Sequence, residues 1–225
     1  MKQCVEKFEV SVKDSWIVAF WAKVFFFLGK LSLFALLKWL LRNRPSYGFV
    51  EYYVTFQTFL ALLTFIITSS RHEEPTNRLL FCLILYGGFR VFETVVYQVN
   101  VMMFDEFRAF VAGKAYKVRS FRRLVLLLLH NYFEIMCWFG VFYTFFYRSG
   151  DISTSGVPIE FFTIFRECLL MMISFGPESN EANNSIGVIV LTIHSFVGIF
   201  MTVMVLGRFL ALLPTPESHD EMDNR

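Results

Sequence analysis

Four long apolar runs dominate the chain, at about residues 49–68, 79–103, 124–147 and 186–213. Each supplies the roughly 20 mainly apolar residues that a helix needs to cross a bilayer. The fourth is long enough to cross with tilt or to project beyond the membrane. Between the third and fourth lies a shorter apolar stretch, IEFFTIFRECLLMMIS, at 159–174. About four turns of helix are too short to span, so this stretch predicts a re-entrant half-helix. The turn-rich run RSGDISTSGVP precedes it, with Pro158 and Glu160 expected in its first helical turn. The run FGPESNEANNS follows and cannot continue a helix. Non-helical backbone at membrane depth persists only where protein covers it or water meets it.

The N-terminal stretch 16–41 is also apolar, but it carries Lys23, Lys30 and Lys38. Spacings of seven and eight bring these lysines near one face of a helix. Spanning would place Lys30 near mid-membrane, at a cost of about 2.5–3.5 kcal/mol. The stretch is therefore read as an amphipathic helix in the interface, with lysines towards water. A fifth span is the alternative. A cleavable signal peptide is not expected, because the run is too long and no A-x-A-like site follows.

Composition agrees with this pattern. Apolar residues make up 56% and charged residues 18%, with 29 phenylalanines. A soluble domain has about 45–50% apolar and about 25% charged residues. A disordered chain, a nucleic-acid binder and a disulfide-rich secreted module are thereby excluded. Cys4, Cys82, Cys137 and Cys168 form no CxxC pair and stand near no histidine at ligand spacing. A metal site is not expected from them.

Placing the charges gives an orientation. Residues 1–47 hold eight Lys/Arg and residues 104–123 hold six, including Lys114, Lys117, Arg119, Arg122 and Arg123. Residues 69–78 and 148–184 together hold four, against seven Asp/Glu. Positive loops stay inside, so both termini are expected in the cytoplasm of a multi-pass cell-membrane protein. Four spans satisfy this parity. The basic 104–123 loop is a candidate for anionic lipid, and Arg208 is placed to snorkel to the cytoplasmic headgroups or to ring the intracellular mouth. The acidic end of the chain, 214–225, is expected to be a short disordered tail with no soluble domain appended.

A span, a half-helix, an extended loop and a second span make the basic unit of a tetrameric cation pore. Residues 121–213 resemble the two-transmembrane pore domain of the potassium-channel family. The closing run SIGVIVLTIHSFVGIFMTVMVLGRFLALLP is similar to its inner, pore-lining helix. Gly198 lies 22 residues after Gly176, matching the family's gating-hinge glycine relative to the first filter glycine. The segment 97–123 also resembles what precedes the pore in some members. The family filter reads Thr-Val/Ile-Gly-Tyr/Phe-Gly-Asp, whereas this chain has Ser174, Phe175, Gly176, Pro177, Glu178 and Ser179. Stacked carbonyls replace potassium's water shell in such filters. Pro177 fixes its own φ and removes a donor, while Glu178 adds a Cβ and a charge in place of the second glycine. The resemblance thus implies a homotetrameric pathway for monovalent cations, potassium or sodium, with poor potassium selectivity. Ser174 and backbone carbonyls near Gly176 would be its ligands, and a ring of Glu178 its electrostatic lure. A non-conducting scaffold or regulatory subunit is the rival, and a mixed oligomer with a related subunit is a further arrangement.

Further intramembrane polar candidates remain. Arg90 and Glu93 are three apart in the second span, hence on one face. His130 and Glu134 share a face of the third, beside Asn131, and are placed to bridge to Arg90 or to another helix. His194 lies in the fourth, facing the pore or a neighbouring helix. Intramembrane ionisable residues mark function by default. No arginine recurs every third residue as in a voltage sensor. No nucleophile, Walker or dinucleotide motif appears, so neither an enzyme nor a cofactor is expected. The chain thus reads as an all-α polytopic membrane protein: an N-terminal amphipathic segment (1–47), two peripheral helices with a basic loop (48–120), a pore-like domain (121–213) and a tail (214–225).

Overall fold

The structure is a computed structural model that describes residues 16–33, 47–70, 78–113, 115, 120–173 and 175–210. The tail at 214–225, Ser174, Lys38 and the Lys114, Lys117 and Arg119 positions lie outside these residues. The chain is mostly helical: α1 Trp16–Lys30, α2 Tyr47–Ser70, α3 Arg78–Val99, a π-helical turn Asn100–Phe104, α4 Asp105–Val111, α5 Phe121–Ser149, α6 Phe161–Met172 and α7 Ser185–Leu210. Four helical stretches, Gly48–Ser70, Arg78–Val111, Arg122–Ser149 and Ser185–Leu210, are long and apolar enough to cross a membrane. The second runs on through the π turn into α4.

α5 is the central element. It packs on α2, α3, α6 and α7, and its Ile135, Trp138, Val141 and Tyr143 are fully buried. Small residues let its neighbours close on it. A Cβ on Gly140 would stand 2.7 Å from the Phe65 ring of α2. Ser120 caps its start by accepting from Arg123 N at 3.4 Å, and Gly150 ends it in the left-handed region at φ 81°.

Two expectations about the segment after α5 need correction. It is not wholly helix and loop: β1 Ile152–Thr154 pairs antiparallel with β2 Asn180–Ala182, with Ser153 opposite Glu181. Three-residue strands carry too little alternation to be read from sequence. The short helix also starts later than expected. Glu160 is extended at φ −126°, ψ 164° at the N-cap position of α6, without a side-chain capping bond, and Pro158 lies ahead of the helix.

The β pair ties the end of α5 to the start of α7. From there α6 descends beside α7. Its last residues meet Gly198, where a Cβ would lie 2.8 Å from Met171 O and 2.9 Å from Met172 Cα. Gly198 is thirteen residues into α7, or about 20 Å along its axis. The Thr202 hydroxyl of α7 donates to Met172 O at 2.8 Å and meets Tyr132 OH at 3.2 Å.

At the other end of the chain, α1 is latched to the π turn. Asn100 Nδ2 donates to Phe25 O at 2.8 Å, and Arg108 donates to Asn100 Oδ1 at 2.9 Å. Ala22 of α1 packs against Val99 and Phe104. Lys23 and Lys30 are not segregated from apolar positions on α1, whose Trp16, Phe20 and Phe27 are exposed.

Candidate functional site

The loop beyond α6 is built around two charged residues of that helix. Ile164, Glu167, Cys168 and Met171 recur at helical spacing and form its buried face. Glu167 is fully buried. Its Oε2 accepts from Glu178 N at 3.1 Å and from Ser179 N at 3.3 Å, and its Oε1 accepts from Ser179 Oγ at 2.8 Å. One carboxylate therefore pegs the returning backbone, and charge-assisted bonds of this kind are about twice as strong as neutral ones. Beside it, exposed Arg166 donates to the carboxylate of Glu178, and its Nη1 lies 3.6 Å from Glu167 Oε1. Glu178 is itself exposed, with that guanidinium beside it.

The rest of the filter-like run has its own geometry. Phe175 N donates to Leu170 O at 3.0 Å, closing the end of α6, while the Phe175 ring is 80% exposed. Gly176 sits at φ 80°, in the left-handed region open to glycine, and a Cβ there would meet no atom within 4 Å. Beyond Ser179, Asn180 accepts from the Tyr147 hydroxyl of α5. Asn184 donates to Asp151 Oδ1 at 2.5 Å, and the hydroxyl of Ser149 with this amide holds the Asp151 carboxyl below the usual aspartate range.

His194 turns into the protein and not towards the exposed face of α7. It is fully buried, stacks on Phe139 with centroids 3.8 Å apart, and its Nδ1 meets Tyr143 OH at 2.6 Å. Its Nε2 and Asn180 Nδ2 are buried without a hydrogen-bond partner among the described residues.

The intramembrane charges form a second centre. Arg90 of α3 makes two parallel bonds to Glu134 of α5, Nε to Oε1 and Nη2 to Oε2, both at 2.9 Å. Its Nη1 donates to Glu93 on its own helix and to Tyr53 OH of α2 at 3.2 Å. Glu93 also accepts from Ser32, beyond α1, and Trp138 Nε1 reaches Glu134 Oε1 at 3.4 Å. Asn131 lines the adjoining cavity of about 110 Å³, with Tyr53 and Thr94. The structure thus brings Arg90, Glu93 and Glu134 together. His130 is not among them, since its Nδ1 donates to Leu126 O at 2.8 Å on its own helix.

Sequence reasoning missed Glu167, Arg166, Tyr143, Tyr147 and Asn180. Glu167 carried a readable signal, an acid on the apolar stripe of a short helix. The others depend on chain return, which no local pattern encodes. Among the described residues no three His, Cys, Asp or Glu side chains converge as metal ligands. Cys82 is exposed, Cys137 and Cys168 are buried, and all three are free thiols. No family model, no curated protein and no solved structure matches this chain.

Proposed function

We propose that this chain is one unit of an oligomeric cation pathway of potassium-channel-like build, with α6 as a re-entrant helix. The carrying observation is the α5–α6–α7 unit. α6 has 12 residues, about 18 Å of helix against a hydrocarbon core of about 30 Å. It stops beside Gly198, and the chain then returns as non-helical backbone to β2, next to where it left. Such backbone among spanning helices requires cover from protein or contact with water. One chain encloses nothing, so copies grouped around an axis, four in the family it resembles, supply that cover.

The negative end of the α6 dipole and the carbonyls of 175–179 provide partial charges suited to a cation. Gly198 serves as the point where α7 bends or slides against α6. Lipid surrounds the outer helices. The pathway is poorly potassium-selective, because Pro177 and Glu178 stand where a filter needs free donors and glycine. A non-conducting scaffold is the second reading, favoured by the Arg166–Glu178 pair, which neutralises the charge meant to attract cations.

Single-channel recording of purified protein in a planar bilayer, with potassium on one side and sodium on the other, tests the proposal. Discrete openings reversing near zero, unchanged by chloride replacement, are expected. Arg166→Gln should raise cation current by unmasking Glu178, and Glu178→Gln should lower it. Silence of all three proteins across voltage and lipid composition favours the scaffold.

A further inference from the structure

The cavity beside the Arg90 centre lies where α2, α3 and α5 meet, and it measures about 110 Å³. Its wall carries two polar side chains that the charged cluster does not use. Thr94 of α3 and Asn131 of α5 are only 4% and 3% exposed, and neither side chain makes a hydrogen bond among the described residues. A buried hydroxyl or amide left without a partner carries its full desolvation penalty. Both side chains can donate and accept, so both suit an occupant that does the same.

The charges on the same wall restrict that occupant. Arg90 spreads its guanidinium over Glu134, Glu93 and Tyr53, and Glu93 accepts from Arg90 and Ser32. Both signs line the cavity, so a cation meets Arg90 and an anion meets Glu93. An uncharged molecule meets neither opposition. The rest of the wall is largely apolar, with Val50 and Val54 of α2 and the Tyr97 ring of α3. Water fills such a space poorly. Each buried water needs about two to four polar partners and takes only about 10–15 Å³, so a cavity of about 110 Å³ would set several waters against valine and ring carbons. An apolar cavity of about 150 Å³ holds a benzene ring, and on that scale this one suits about four non-hydrogen atoms.

A short alcohol has these properties: one hydroxyl, a few carbons and no charge. We propose that this cavity binds a small uncharged alcohol, with its hydroxyl between Thr94 and Asn131 and its carbons along Val50 and Val54. One of the two polar side chains accepts the ligand proton and the other donates to the ligand oxygen. The site is lined from α2, α3 and α5 and not from α6 or α7, so it stands or falls independently of conduction.

The full chain in detergent, carrying isotope-labelled asparagine, is titrated with 1-propanol and with two ions of similar size, propylammonium and propionate. The side-chain amide of Asn131, assigned by its loss in Asn131→Leu, is followed by NMR. A saturable shift is expected with 1-propanol, at a dissociation constant on the order of 1 mM for so few atoms. Either ion should bind at least about tenfold more weakly, because its charge is buried without a counter-charge of its own. Thr94→Val removes one hydrogen-bonding partner at nearly constant shape and should weaken 1-propanol about two- to tenfold. Thr192→Val, at an exposed position of α7, should leave the affinity unchanged. Val50→Phe fills the cavity without removing a polar group and should abolish saturation, which keeps the test decisive if Thr94→Val does not fold. A shift that never saturates in the wild type leaves the cavity to water and overturns the proposal. So does equal binding of either ion, an affinity unchanged in Thr94→Val, or saturable binding that persists in Val50→Phe.

Discussion

Glu167 shows how one side chain decides the course of a loop. Its carboxylate is fully buried among apolar residues, where an unpaired charge is very costly. Three donors from Glu178 and Ser179, with the Arg166 guanidinium 3.6 Å away, offset that cost, and the three bonds fix the returning strand to α6. Glu167→Ala strands the buried N–H and hydroxyl of Ser179 and the part-buried N–H of Glu178, and should destabilise by about 1–3 kcal/mol. Glu167→Gln keeps shape and one acceptor oxygen, so its loss should be smaller. Thermal unfolding in detergent gives the ranking, and hydrogen exchange at Glu178 and Ser179 gives the location. Unchanged protection at these two amides in Glu167→Ala would show that the peg is not holding the loop. The acid itself was legible in sequence, lying on the stripe of Ile164, Cys168 and Met171. Its partners were not, because they reach it only after the β1–β2 pair has turned the chain back. The same reason hid Tyr147 and Asn180. Arg90 with Glu93 was legible, since three residues on one helix share a face whatever the tertiary structure.

At the scale of elements, the four apolar runs and the four long helices agree to within a few residues among those described, except that the second helical stretch runs on to Val111, because length and composition alone set the rest. The π turn at Asn100–Phe104 and the three-residue strands were not legible, since each depends on contacts from outside its own segment. The α6–α7 crossing combines both kinds of information. Gly198 stood out by spacing, and the structure adds a packing role: α7 is an unbroken helix there, and the backbone of Met171 and Met172 fills the place of a side chain. At Gly207, nine residues on in the same helix, a Cβ would meet nothing within 4 Å. The two glycines should therefore respond oppositely to one methyl group. Gly198→Ala drives a Cβ into backbone and should cost about 1–3 kcal/mol. Gly207→Ala should stabilise by about 0.5–1 kcal/mol, through the lower helix propensity of glycine. Melting temperatures of the two variants in one detergent test this. Equal shifts would mean that α6 does not press on α7 at Gly198.

Across the whole molecule, the Arg90 centre joins parts that sequence places far apart. Through it α3 is tied to α5, with Tyr53 adding α2 and Ser32 adding the segment after α1. Arg90 and Glu134 are both almost wholly buried, so their attraction competes with a large desolvation cost. Such a cluster contributes little net stability over a well-packed apolar replacement. Removing one partner is different, because it leaves a buried charge uncompensated, at about 3–5 kcal/mol. Arg90→Met alone should thus be severely destabilising, since it abandons Glu134 and Glu93 together. Arg90→Met, Glu93→Gln and Glu134→Leu combined should recover most of that loss. If the cluster also fixes how the peripheral helices sit on α5, the triple variant should keep its helicity and melting temperature. It should nevertheless show faster hydrogen exchange in α2 and α3 than in α5–α7. Recovery of stability with wild-type exchange everywhere would reduce the cluster to a balanced charge group. A triple variant as unstable as Arg90→Met would show that the charges themselves, and not their mutual compensation, hold the two halves together.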